Sequence, residues 1–245
     1  MKLQSIPRLF AIAITMICAV IVRAGSHEID RETFSKGIFQ VVFDGRKDMR
    51  ARLWDRPVGT VISNANPEEE RRVRALLEEF DEATGVNFYL ESDPAKACVY
   101  IIFANSLEEM FIDEAWTRFK SIGNKHYYSL VEADLKRNIE QRLHNPFIAI
   151  GRGSDGYLGN AVVALGRSDR WKAKLAFGMA VAFGLAGTSL DVATVTALPM
   201  QYEKDDLQEF DKMALRFMYR HLKPSMVWAD AQILIDQYYD TRGRK

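Results

Sequence analysis

Residues 171–187 read WKAKLAFGMAVAFGLAG. Charge stops at Lys174, after Arg170 and Lys172, and everything beyond is apolar or small. As a helix this stretch is hydrophobic on every side, and a helix of that kind is buried. The apolar part, residues 175–187, falls well short of the roughly 20 apolar residues that cross a bilayer. The reading is therefore a central core helix that carries no polar group past Lys174.

Working outward, FIAIGR (147–152) and YLGNAVVALG (157–166) read as two strands around the loop GRGSDG. Gly151, Gly153 and Gly156 spell G-x-G-x-x-G. A dinucleotide site needs a helix to start at the last glycine, because the helix N-terminus holds the pyrophosphate. Strand composition follows instead, so the glycines are assigned to a hairpin that uses positive φ.

The strongest helix signal lies upstream. Asn66 caps, Pro67 takes the first helical position, Glu69 stands three residues after the cap, and Val73, Leu76, Leu77 and Phe80 make one stripe before Gly85. This predicts a helix over Pro67–Thr84, with EEERRVRALLEE as a solvated charged face. A short helix is expected over residues 31–43 and a strand over 59–63, with further strands in VNFYLE and ACVYIIFA. The last of these is apolar enough to lie centrally in a sheet. Helices are expected over residues 107–119, 128–143, 207–221 and 228–239. Strands with helices interspersed indicate one α+β domain, spanning residues 25–245.

Residues 1–24 read as a secretory signal. Lys2 and Arg8 precede an apolar run over residues 9–22, and Val22-Arg23-Ala24 offers a cleavage site. Cleavage after Ala24 makes the protein periplasmic or secreted; an uncleaved segment makes it a membrane-tethered accessory protein. Cys98 then remains as the one cysteine, without a partner for a disulfide, and is expected as a buried, inert thiol. Lys+Arg and Asp+Glu number 33 each, so no net field steers nucleic acid toward this chain.

Side chains with chemistry are sparse. His27, His126, His144 and His221 have no second histidine at helical spacing, and a zinc site needs three or four convergent ligands. Ser154 lacks the glycine flanks of a nucleophile elbow.

Two segments together resemble a family of bacterial secreted proteins of unknown function with a zincin-like fold, the fold of the HExxH metallopeptidases. Phe183-Gly184-Leu185 matches the end of that family's helix E-E-x-x-Q-x-L-G-L. Leu207, Asp211, Leu215-Arg216, Met218-Tyr219 and Leu222-Lys223-Pro224, with Met226, follow its C-terminal pattern, Ser225 replacing a glycine. Arg52-Leu53-Trp54 with Pro57, and Thr84-Gly85-Val86, extend the likeness upstream. The resemblance implies a mixed sheet of about four to five strands, a buried active-site-type helix under it and a helical C-terminal part. Laying the family's glycine on Gly184 puts the two metal ligands at Phe177 and Val181, the general base at Gly178 and the third ligand at Gly187. None of these binds a metal or moves a proton, so neither metal nor cofactor is expected.

The first functional expectation is a non-catalytic, exported zincin-like protein that binds a protein or peptide partner. Its surface is expected along residues 157–164, through Tyr157, Asn160, Val162 and Ala164, as an exposed edge taking a peptide strand. The second is a hydrolase with a relocated site built from Asp211, Tyr219, His221 or Asp191. For Asp211, on an otherwise apolar stripe, the competing role is a buried structural carboxylate.

Overall fold

The computed structural model describes residues 29–122, 128–129, 132–133, 136, 146–153, 156–187, 189, 193–196 and 204–242. The chain divides into two compact units, Met1–Asp30 and Arg31–Lys245, and the elements below belong to the second. The segment expected as a signal, Ser154, Asp191, three of the histidines (27, 126 and 144) and most of the helix expected over 128–143 lie outside the described residues.

The elements run α1 (Arg31–Val41), β1 (Val58–Ser63), α2 (Pro67–Thr84), β2 (Phe88–Leu90), β3 (Val99–Ala104), α3 (Leu107–Ile112), α4 (Glu114–Ile122), β4 (Phe147–Arg152), β5 (Leu158–Gly166), α5 (Trp171–Ala182), α6 (Glu209–His221) and α7 (Trp228–Arg242). The fold is α+β around one mixed five-stranded sheet of order β2-β1-β3-β5-β4. β1 pairs in parallel with β2 and β3, β3 pairs in parallel with β5, and β4 alone is antiparallel, on β5. β3, central as expected, is buried along its whole length. A strand covered on both faces has no need of alternation, which is why its sequence is a continuous apolar run.

One face of the sheet, through Val61, Tyr100, Ile102, Val162 and Ala164, packs on α3 and α4 through Met110, Trp116 and Phe119. The other face takes α5, whose Gly178 lies against Val163. Phe183, just past α5, packs its ring at 4.6 Å on Phe80 of α2 and at 4.4 Å on Phe88 of β2. Burial of three aromatic rings at that junction ties helix to sheet edge.

α2 begins and ends where its signals place it. The Asn66 side chain accepts from the Glu68 and Glu69 amides, Glu69 returns a bond to the Asn66 amide, and Gly85 closes the helix at φ 73°. The helix expected over residues 107–119 is instead two. Asp113 is drawn out of helical geometry, with ψ 141°, because its carboxylate accepts from Ser63 Oγ at 2.7 Å and Asn64 Nδ2 at 2.9 Å at the end of β1. It then restarts the chain as α4 by accepting from the Ala115 amide at 2.7 Å. A side chain that bonds outside its own helix competes with helix continuation.

Candidate functional site

α5 is buried under the sheet, but it stops at Ala182, five residues before the end of the apolar run. Gly184, at φ +118°, turns the chain. The Gly184 amide donates to the Val181 carbonyl at 3.2 Å and the Leu185 amide to the Ala180 carbonyl at 2.9 Å, the paired bonds of a Schellman closure. Two further side chains take the last carbonyls. Trp54 Nε1 donates to Ala182 O at 3.2 Å and Tyr219 Oη donates to Phe183 O at 2.9 Å. The Tyr219 oxygen in turn accepts from the Trp54 amide at 3.4 Å. Burial pushes the Tyr219 phenol above its usual pKa, so it stays a donor at every ordinary pH. Tyr219→Phe leaves Phe183 O and the Trp54 amide short of a partner, and is expected to cost about 1–3 kcal/mol in urea unfolding; no change in midpoint would remove the hydroxyl from the helix end.

The expectation that α5 is covered on every side needs one correction. Phe177 and Val181 are half-buried, while Leu175, Ala176, Met179 and Ala180 are fully buried. Four residues apart, Phe177 and Val181 share one helix face and are where the resemblance puts the metal ligands. The other two matched positions are filled by neighbours. A Cβ on Gly178 would meet Val163 Cγ1 at 2.5 Å, and a Cβ on Gly187 would meet Gln40 O at 1.9 Å and Asp44 Cα at 2.7 Å. The residues present do not fit a zinc ion: they supply no donor at any of the four positions, and at Gly187 the backbone of the last turn of α1 and of the turn after it occupies the space of a side chain. Among the described residues, no three His, Cys, Asp or Glu side chains converge as a metal set.

The surface expected along residues 157–164 is also corrected. β5 is an inner strand, held by β3 on one side and β4 on the other. Asn160, Val162 and Ala164 are buried and Tyr157, which precedes the strand, is half-buried. Reading a hairpin from sequence does not say which of its two strands pairs inward, and here the parallel ladder from β3 captured the second. The edge is β4, Phe147-Ile148-Ala149-Ile150-Gly151-Arg152, half-buried along its apolar part. An antiparallel edge strand turns alternate backbone N–H and C=O groups away from its partner.

Asp211, Tyr219 and His221 do not form one site. Asp211 is fully buried in the first turn of α6. It accepts from Thr194 Oγ1, from the Val195 amide at 3.0 Å and from the Gln208 amide at 2.8 Å. Burial raises its carboxyl from an ordinary 3.8 to about 6, against the pull of those three bonds. His221 stands ten residues on, roughly 15 Å along the helix axis, exposed at its end. Its ring lies 5.4 Å from Phe217 and 5.7 Å from Tyr238. Tyr219 belongs to the end of α5. Asp211 is thus the backbone-bonded carboxylate of the competing reading, and among the described residues the cluster a relocated hydrolase requires is not assembled.

Compared with protein-family models, curated proteins and solved structures, the chain matches none.

Sequence reasoning also passed over an ion pair made by a buried carboxylate. Glu69, assigned to a solvated face, is 2% exposed and meets Arg167 at 3.0 Å. Arg167 also reaches Asn105 Oδ1 at 3.3 Å and the Asn64 carbonyl. The clasp joins the segments beyond the C-terminal ends of β1, β3 and β5. Its one sequence signal was the capping-box position of Glu69, which turns that carboxylate back toward the N-terminus of α2.

Proposed function

We propose that this chain is an exported, non-catalytic zincin-like protein that binds an extended segment of a protein partner along β4. The observation that carries the reading is the replacement of all four catalytic positions by Phe177, Gly178, Val181 and Gly187, two of them pressed against neighbouring chain. A zincin needs two imidazoles one helical turn apart and a carboxylate that activates water, and none of those groups stands on α5. The sheet supports the same reading. Its one antiparallel strand forms an apolar edge beside the buried helix, and an apolar edge with unpaired backbone groups accepts a further strand. With residues 1–24 read as a secretory signal, the partner of this proposal is a periplasmic or extracellular one.

Elemental analysis of the purified chain, dialysed without chelator, is expected to give less than stoichiometric zinc; one zinc per chain would overturn the reading. For the binding itself, the expected result is slower amide hydrogen exchange in β4 when short, uncharged extended peptides are added. Protection that appears on α7 or β2 and not on β4 would move the site.

A further inference from the structure

At the carboxyl ends of the parallel strands the chain leaves the sheet in two directions. After β1 it enters α2, which packs on the same face as α5, and after β3 it enters α3 on the opposite face. β2 lies on one side of β1 and β3 on the other, so the strand order reverses between β1 and β3. In a sheet of parallel strands such a reversal opens a crevice in which ligands bind, because the neighbouring loops diverge. Here the crevice is a cleft of about 630 Å³, walled by Asn64 after β1, Asn105 after β3, Glu109, Ile112 and Asp113 of α3 and its end, and Arg167 after β5. Its size is that of a small-molecule site.

The lining favours neither sign of charge. A cation entering the cleft meets the Arg167 guanidinium, and an anion meets the carboxylates of Glu109 and Asp113; like charges brought together cost binding energy. An uncharged polar ligand meets neither penalty. Two side chains are set to receive it. Glu109 Oε2 accepts from the Asn105 amide at 2.7 Å, and Asn105 Oδ1 accepts from Arg167 at 3.3 Å, so each is held by one of its polar atoms. The other two atoms, Glu109 Oε1 and Asn105 Nδ2, stand 3.5 Å apart, too far for a good hydrogen bond between them. Both residues are exposed. An acceptor and a donor side by side match two neighbouring hydroxyls, because each hydroxyl both donates and accepts: one gives its proton to the carboxylate while the next takes the amide proton. On the same cleft Ile112 is 83% exposed, an apolar side chain that the C–H face of a sugar ring would remove from water.

We propose that this cleft binds an uncharged saccharide, with a vicinal diol bridging Glu109 and Asn105 and the ring lying on Ile112. Asp113 acts as a positioning residue, since its carboxylate holds Asn64 Nδ2 at 2.9 Å and with it the wall formed after β1. No residue of β4 lines the cleft, so the site goes beyond the β4 reading and stands or falls without it.

The test uses the full chain, isotopically labelled, titrated with maltose, cellobiose, lactose, mannobiose and diacetylchitobiose, with the permethylated form of any sugar that binds, and with inorganic phosphate and n-butylamine as charged probes. At least one free sugar is expected to shift the amide signals of Asn105, Glu109 and Ile112, with a dissociation constant of about 1 mM or tighter. Its permethylated form, which has no hydroxyl to donate, is expected to bind about tenfold more weakly. Asn105→Asp keeps the oxygen that Arg167 holds and replaces the donor by an acceptor; Glu109→Gln keeps an oxygen for the Asn105 amide and removes the charge. Each is expected to weaken the sugar by about tenfold, with an unfolding midpoint near that of the parent because both side chains are exposed. Equal binding of free and permethylated sugar overturns the diol, and unchanged affinity in both variants overturns its assignment to Glu109 and Asn105. Tighter binding of phosphate or butylamine than of every sugar overturns the uncharged class. Shifts confined to β4, or no shift with any of the sugars, overturn the site.

Discussion

Gly187→Ala is expected to lower stability by about 3–5 kcal/mol, the sum of severe overpacking and backbone displacement. The added Cβ would stand 1.9 Å from Gln40 O and 3.1 Å from the Asp44 amide nitrogen. Both are backbone atoms, so no rotamer change relieves the overlap. The contact also has no slack, because the Gly187 amide donates to Val41 O at 2.8 Å, pinning the two segments together. Urea unfolding of parent and variant, compared at equal slope, measures the loss. A change below about 1 kcal/mol would mean that the end of α1 and the turn after it do not occupy this space. The result matters for function, because Gly187 is where the resemblance places a third metal ligand. Gly187→His, which would restore that donor, is expected to unfold the site before it can bind zinc.

Asp211→Ala is expected to cost about as much, on the order of 3–5 kcal/mol, by orphaning buried donors. The Val195 and Gln208 amides and the Thr194 hydroxyl all point at this one carboxylate. Asp211→Asn is the milder change, since its carbonyl oxygen retains the two amide donors and its amide can donate to the threonine oxygen. The parent chain also carries a pH signature. A folded-state value of about 6, above the ordinary 3.8, means the folded form binds this proton more tightly than the unfolded one. The contribution of Asp211 to stability is therefore largest below about pH 4 and declines as pH rises through 6, by roughly 3 kcal/mol in all. Its sign is opposite to that of a salt-bridged carboxylate. Asn does not titrate, so the stability of the parent relative to Asp211→Asn should rise as the pH falls from 7 to 4. A parent that instead loses stability relative to Asp211→Asn toward acid would show that the three bonds outweigh burial.

A buried acid of raised pKa is often read as catalytic. Here the geometry argues otherwise, because the carboxylate is taken up by the Thr194 hydroxyl and the Val195 and Gln208 amides and His221 is at the far end of the helix. The raised value follows from a carboxylate used as an internal cap in a dry place. The same logic separates Tyr219 from catalysis, for its hydroxyl is committed to the carbonyl that ends α5.

Much of this protein follows from local sequence. Asn66, Pro67, Glu69 and Gly85 set both ends of α2, because capping bonds span at most four residues. The unbroken apolar run of β3 declared a strand covered on both faces, and the run after Lys174 declared a helix without chemistry. The absence of metal donors at positions 177, 178, 181 and 187 is likewise written in residue identity alone. Tertiary structure decided the rest. Which strand of the hairpin became the edge depended on a parallel ladder between β3 and β5, formed across some sixty residues. Asp113 broke a helix to serve the end of β1, and Glu69 left a charged face to meet Arg167, 98 residues away. Only the packed chain brings Gln40 against Gly187. Such contacts depend on chain paths distant in sequence, whereas periodicity and capping report only on neighbours within a few residues.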